Sequence, residues 1–195
     1  MQAKHRPLRI LGLPGSLRSG SYNRRLLELA QSVAPPTIDL PIYGDMGSIP
    51  LFNEDLEGEM HAPPEAVARL RTAIAAADAV LIATPEYNQS MPGVLKNAID
   101  WLSRPAPSSA FSGKPVALCG ITTGEWGTRL SQAALRQTLF ATGARLVPLH
   151  LYFRKAGSSF AAPGGDGQEQ DLRAQLRTFL GAMSRELNAS NDLAA

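Results

Sequence analysis

LRILGLPGSLRSGSYNRRLLELAQSVA, residues Leu8–Ala34, decides the fold, because it reads without interruption as strand, hydroxyl-rich turn and helix. Leu8–Leu13 is a short apolar run of the kind that suits a strand covered on both faces. Beyond the turn, a helix over Ser21–Ala34 carries Tyr22, Leu26, Leu29, Ala30 and Val33 on one face and stops at Pro35-Pro36. The same unit returns downstream. Ala79–Thr84 (AVLIAT) leads to a helix over Pro92–Ser103 with Leu95, Ala98, Ile99 and Leu102 on one side. Pro115–Ile121 leads to a helix over Thr128–Ala141 that Gly143 closes. Thr37–Leu40 and Arg145–Leu149 read as short strands, and Pro64–Ala77 as a helix with Val67, Leu70, Ile74 and Ala77 inward. A last amphipathic helix carries Leu172, Leu176, Phe179, Leu180, Met183 and Leu187, followed by a few frayed residues. Five βα units in a row predict an α/β domain spanning residues 1–195, a parallel sheet with helices on both faces. Ile42–Pro63 is expected to be a long surface loop whose Glu54, Asp55, Glu57 and Glu59 are solvated; Gly157–Gly167 is expected to be a flexible loop.

Composition removes several classes of function. A net charge of +2, without a run of like charges, argues against nucleic-acid binding. No segment approaches the roughly twenty apolar residues of a membrane span, and the basic start lacks the apolar stretch of a signal peptide, so the cytoplasm is expected. The single cysteine, Cys119, lies inside the apolar run Val116–Cys119 and reads as a buried core residue. His5, His61 and His150 are scattered without metal-ligand spacing and are expected at the surface or a sheet edge. Ser16 lacks the flanking glycines of a nucleophile elbow, so a hydrolase is not indicated.

Ligands of such sheets sit at the carboxyl ends of the strands, near the topological switch point. The first loop, Gly12–Asn23, places Ser16, Ser19, Ser21 and Arg18 at a helix start, where free N–H groups and the helix dipole favour an anion. It lacks both the Lys-Ser/Thr ending of a P-loop and the spaced glycines of a dinucleotide fingerprint. A mononucleotide phosphate cradle and a plainly capped helix with a polar loop both remain open on this loop alone. Gly15 and Gly20 are read as allowing close backbone approach. The second loop, Thr84–Gly93, offers Tyr87 and Met91 as apolar surface for a flat ring and Asn88 for its polar edge. The third, Gly120–Gly127, repeats the Gly and Thr theme; Trp126 is a lid, an interface or a structural residue.

GSLRSGSYN (15–23), PEYNQSMPGVLKNAIDWLSR (85–104) and TTGEWG (122–127) together resemble the NADPH-dependent FMN reductase family, over roughly Leu8 to Val147. That family includes quinone, chromate and azo-dye reductases. The resemblance implies a three-layer flavodoxin-like fold with strand order 2-1-3-4-5, FMN as cofactor and NADPH as reductant. Ser16, Arg18, Ser21, Tyr22 and Asn23 would hold the phosphate and ribityl end. Pro85, Glu86, Tyr87, Asn88 and Gln89 would line the isoalloxazine ring, chiefly through backbone, with Thr122, Thr123 and Gly124 closing the other side. Gln89 stands where relatives often carry an aromatic residue, and Thr128 replaces a glycine in a way expected to narrow the nicotinamide entrance.

On this resemblance hydride passes from nicotinamide C4 to flavin N5 and then to a quinone, flavin or other small acceptor, with ping-pong kinetics and no catalytic side chain. The alternative is a flavodoxin-type electron carrier, usually strongly acidic where this chain is slightly basic; a regulatory module without FMN is a further one. The resemblance also implies a homodimer or homotetramer, with the Pro92–Ser103 helix and its Trp101 as a candidate interface.

Overall fold

The computed structural model describes residues 6–57, 62–105, 108–154, 156–160 and 167–192. Five strands, β1 (Leu8–Pro14), β2 (Ile38–Asp39), β3 (Ala79–Ala83), β4 (Pro115–Ile121) and β5 (Arg145–Phe153), form one parallel sheet in the order β2-β1-β3-β4-β5. The helices are α1 (Tyr22–Val33), α2 (Glu65–Ala75), α3 (Gly93–Leu102), α4 (Arg129–Ala141), the short α5 (Ala156–Ser159) and α6 (Gly167–Asp192).

Alternation along the central strands explains the two faces. On β3, Ala79, Leu81 and Ala83 face a core shared with α1 and α6, while Val80 and Ile82 face one shared with α2, α3 and α4. Both sets are buried, which is why these strands read as unbroken apolar runs. Leu172, Leu176, Leu180 and Met183 of α6 close the first core, as their helical spacing predicts. Cys119 is buried in that core, and desolvation pushes its thiol up to about 12.

Five expectations need correction. β5 runs on to Phe153 rather than ending at Leu149. Its partner register jumps from Val116↔Leu146 to Leu118↔His150, so a bulge absorbs Pro148, which has no N–H to donate. The segment after Ile42 is no free loop: Met46 and Ile49 are buried, and 3-10 turns form at Met46–Ser48 and Glu54–Glu57. Asn97 on α3 donates to the Pro50 carbonyl (2.8 Å) and accepts from the Phe52 amide (2.7 Å), pinning this segment. Glu57 is buried rather than solvated, paired with Arg104 (2.9 Å), which also meets Glu54 (3.0 Å). Trp101 is fully buried within the chain, edge-on to Phe52 and donating Nε1–H to Pro50 (2.9 Å), so it is not an interface side chain. Residues 157–160 are partly helical rather than loop. His5, Glu59 and His61, residues 161–166 of the expected Gly157–Gly167 loop and the terminal 193–195 lie outside the described residues.

Candidate functional site

The switch point lies between β1 and β3, where the chain first steps outward to β2 and then returns to the other side. The carboxyl ends of β1, β3 and β4 meet there around an open cleft of about 160 Å³. Ser16, Arg18, Ser21, Tyr22 and Asn23 line one wall, Pro85, Glu86 and Tyr87 another, and Thr122 and Thr123 the third. Ile121, not anticipated from the sequence, joins the third wall; Asn88, Gln89 and Gly124 lie outside the lining.

The first wall is built by the start of α1. Ser21 is its N-cap, accepting from the Arg24 amide (3.3 Å), which leaves the earlier amides of the turn without a carbonyl one turn back. Arg18 is exposed beside them and, among the described residues, forms no ion pair. Ser16 Oγ lies 3.4 Å from both the Arg18 amide and the Tyr87 hydroxyl, so the first two walls meet across the cleft. Gly15 serves packing rather than ligand approach: a Cβ there would lie 2.6 Å from Leu95 Cδ1 and 3.1 Å from the Ala83 carbonyl oxygen.

Asn23 plays a different part from the one its position suggests. It is buried, its Nδ2 donates to the Ile121 carbonyl (2.9 Å) and its Oδ1 accepts from the Ile121 amide (3.0 Å). The side chain imitates a neighbouring strand and welds α1 to the end of β4, while the residue also lines the cleft. Glu86 behaves similarly. Its carboxylate accepts from the Leu130 (2.9 Å) and Ser131 (3.1 Å) amides, capping α4 and tying the second wall to the third.

Tyr87 and Ser90 exchange backbone hydrogen bonds of 3.0 Å, with Asn88 and Gln89 at φ 49° and 62°. That is a tight primed turn, and it carries Asn88 and Gln89 outward. Gln89 is the costlier of the two there, since Asn tolerates this region and other side chains pay on the order of 1 kcal/mol.

Beneath the third wall lie buried polar residues that sequence reasoning missed. Thr84 Oγ1 and Ser131 Oγ are 2.8 Å apart, and Gln132 donates to Thr128 Oγ1 (3.0 Å) and the Leu151 carbonyl (3.1 Å). Thr128 is fully buried, 2.2 Å from where a Gly120 Cβ would stand, so it supports the loop from below and does not narrow an entrance. Trp126, by contrast, is 78% exposed.

The arrangement fits a flavin mononucleotide. The α1 amides, two serine hydroxyls and an unpaired arginine suit a phosphate dianion, and the one carboxylate in the lining is turned away to α4. Among the described residues no cluster of His, Cys, Asp and Glu could hold a metal, and no helix is long and apolar enough to cross a membrane.

A parallel sheet in this order, with a mononucleotide cradle at its switch point, defines a flavodoxin-like protein. The sequence matches the NADPH-dependent FMN reductase family over residues 8–158, and the chain belongs to that family. It is 54% identical over 132 residues to an NAD(P)H-dependent FMN reductase of Pseudomonas aeruginosa, covering 68% of this chain and 69% of that one. It is 38% identical over 173 residues to a 2-hydroxy-1,4-benzoquinone reductase of a Burkholderia species, covering 89% and 92%. Among solved structures it superposes on FerB, a flavoenzyme NAD(P)H:(acceptor) oxidoreductase from Paracoccus denitrificans, with a TM-score of 0.75 and 32% identity, over 91% of this chain and 98% of that one.

Proposed function

We propose that this chain is an NAD(P)H-dependent FMN oxidoreductase that reduces quinones and other small diffusible acceptors. The observation that carries the reading is the cleft itself: an anion-binding helix start with an unpaired Arg18 at one end, and walls from β3 and β4 at the other. FMN held in this cleft would supply the redox chemistry, hydride transfer between a reduced nicotinamide and the acceptor. The protein's work is positioning. Arg18, Ser16, Ser21 and the α1 amides hold the phosphate; Pro85–Tyr87 and Ile121–Thr123 flank the ring. Asn23 and Glu86 keep the three walls in register. Asn88, Gln89 and Gly124, at the rim, meet the ring's outer edge or the second substrate.

The same reading takes residues 1–195 as one unit, places it in the cytoplasm with the reduced nicotinamide pool, and assembles it as a homodimer or homotetramer. Exposed Trp126, Leu130 and Phe140 support assembly, and sedimentation velocity measures it. The electron-carrier alternative finds no support in the relatives, which are reductases by name.

The test is a visible spectrum of the protein with FMN, before and after anaerobic NADPH. Rapid bleaching, reversed by a quinone, is expected; bound flavin that NADPH leaves coloured would refute the activity. Replacing Arg18 by alanine should weaken FMN about tenfold or more while leaving riboflavin nearly unaffected, since only the phosphate contact is lost. Equal losses for both flavins would remove Arg18 from the phosphate site.

A further inference from the structure

Two arginines on α4 are held by rings and a carbonyl rather than by carboxylates. Arg6, Arg9, Arg24, Arg69, Arg104, Arg154 and Arg173 each meet a carboxylate. Among the described residues Arg129 and Arg136 meet none. The Arg129 guanidinium instead lies over the Tyr152 ring, 5.8 Å from its centroid. That of Arg136 donates to the Gln132 carbonyl (3.3 Å) and to His150 Nδ1. Tyr152 and His150 share one face of the edge strand β5, their rings stacked at 6.1 Å and 16°. Burial and the Arg136 charge hold the His150 pKa below its ordinary 6.5, which suits the acceptor role of that ring nitrogen.

This array adjoins the flavin cleft. Arg129 opens the helix whose next two amides bind Glu86 of the cleft wall, and Tyr152 pairs with Gly120, the neighbour of the lining residue Ile121. Arg136 follows two turns later on the same helix face, about 10 Å farther from the cleft. Two guanidinium forks without carboxylate partners, braced against flat rings, are suited to phosphate groups and a purine.

Resting on the reading that a reduced nicotinamide is the donor, we propose that Arg129, Tyr152, His150 and Arg136 bind its adenosine half, and that Arg136 selects NADPH over NADH. A dinucleotide entering with its nicotinamide at the cleft passes Arg129 first, where the pyrophosphate common to both cofactors binds. The 2′-phosphate, present only in NADPH, reaches Arg136.

The experiment measures KM for NADPH and NADH in wild type, Arg129→Ala, Arg136→Ala and Arg136→Lys. Alongside it, 2′,5′-ADP and 5′-ADP are titrated calorimetrically onto the FMN-loaded protein. Arg136→Ala should raise KM for NADPH about tenfold or more and KM for NADH less than twofold, abolish the preference for 2′,5′-ADP, and be partly rescued by lysine. Arg129→Ala should raise both KM values. Equal effects of Arg136→Ala on the two cofactors would overturn the assignment. So would a change in sedimentation with both KM values intact, which would make the array a subunit contact. If neither cofactor reduces wild-type flavin, the proposed activity falls, yet the titration still decides the site: a 2′,5′-ADP preference lost in Arg136→Ala sustains it, and no preference overturns it.

Discussion

Replacing Asn23 by alanine tests whether the cleft is held together by a side chain that does not itself bind the ligand. In the native chain both ends of the Asn23 amide bond the Ile121 backbone, at 2.9 and 3.0 Å, and the residue is 3% exposed. Alanine leaves the Ile121 N–H and C=O buried without partners. At about 1–3 kcal/mol for each group, the loss comes to roughly 2–6 kcal/mol. In a chain of this length about 1 kcal/mol shifts Tm by some 2–4 °C, so the variant should melt roughly 4–24 °C lower. The assay is thermal unfolding by circular dichroism of cofactor-free protein, so that mass action from bound flavin contributes nothing. Asn23→Asp should fare no better, because it keeps an acceptor for the Ile121 amide but sets a carboxylate against the Ile121 carbonyl. FMN and riboflavin affinity should fall together in both variants. If Asn23→Ala weakens FMN binding while cofactor-free Tm stays within about 1 °C of wild type, the bracing argument is wrong and Asn23 is a direct ligand.

Three further perturbations follow from other parts of the fold. Gly120→Ala would place Cβ 2.4 Å from the Thr84 carbonyl oxygen and 2.2 Å from Thr128 Oγ1. It should cost about 1–3 kcal/mol or more in urea unfolding, and Thr128→Ala should not restore the midpoint, because the backbone oxygen stays; a full rescue would refute this. Asp78 is held below its ordinary 3.8, first by the hydrogen bonds from Arg6, against the cost of burial, and then by the Arg9 amide. A depressed carboxyl contributes stability that is present above its unfolded pKa and lost as pH falls through the folded one. Asp78→Asn should therefore lower Tm at neutral pH, with the gap closing in acid; a gap constant with pH would refute this. Cys119, with its thiol pushed up to about 12 and fully buried, should resist iodoacetamide at pH 8 in the native protein and react once unfolded; rapid native alkylation would contradict the packing.

The layers were legible because covered parallel strands write themselves as apolar runs and their helices as periodic faces; Ala79–Ala83 and Tyr22–Val33 show both. The site could be placed because loops at strand ends are also local in sequence. What each residue does there was hidden, since it depends on partners far along the chain. Asn23 finds Ile121, Glu86 finds the start of α4, and Trp101 finds Pro50. Charge alone marked Glu57 as solvated, and its pairing with Arg104, distant in sequence, offsets the cost of its burial. The second half of β5, His150–Phe153, was hidden because no apolar run continues past Leu149, and only its pairing with β4 shows that the strand goes on.

Three helices follow the strands that frame the cleft, α1 after β1, α3 after β3 and α4 after β4, and their starts differ. α4 offers its first amides to Glu86, so its positive end is already matched by a carboxylate. α3 opens at Pro92, which has no N–H, and the Leu95 and Lys96 amides turn back to the Pro92 carbonyl. α1 alone meets the cleft with a hydroxyl cap, neighbouring serines and an arginine without a carboxylate partner among the described residues. On the proposed function, an anion entering the cleft is drawn to α1, and a ring attached to it extends between the walls from β3 and β4. Neutralising α4 from within is what makes the site one-ended. Were Glu86 absent, two helix starts would compete for one phosphate, and the ring's orientation would no longer be set by charge.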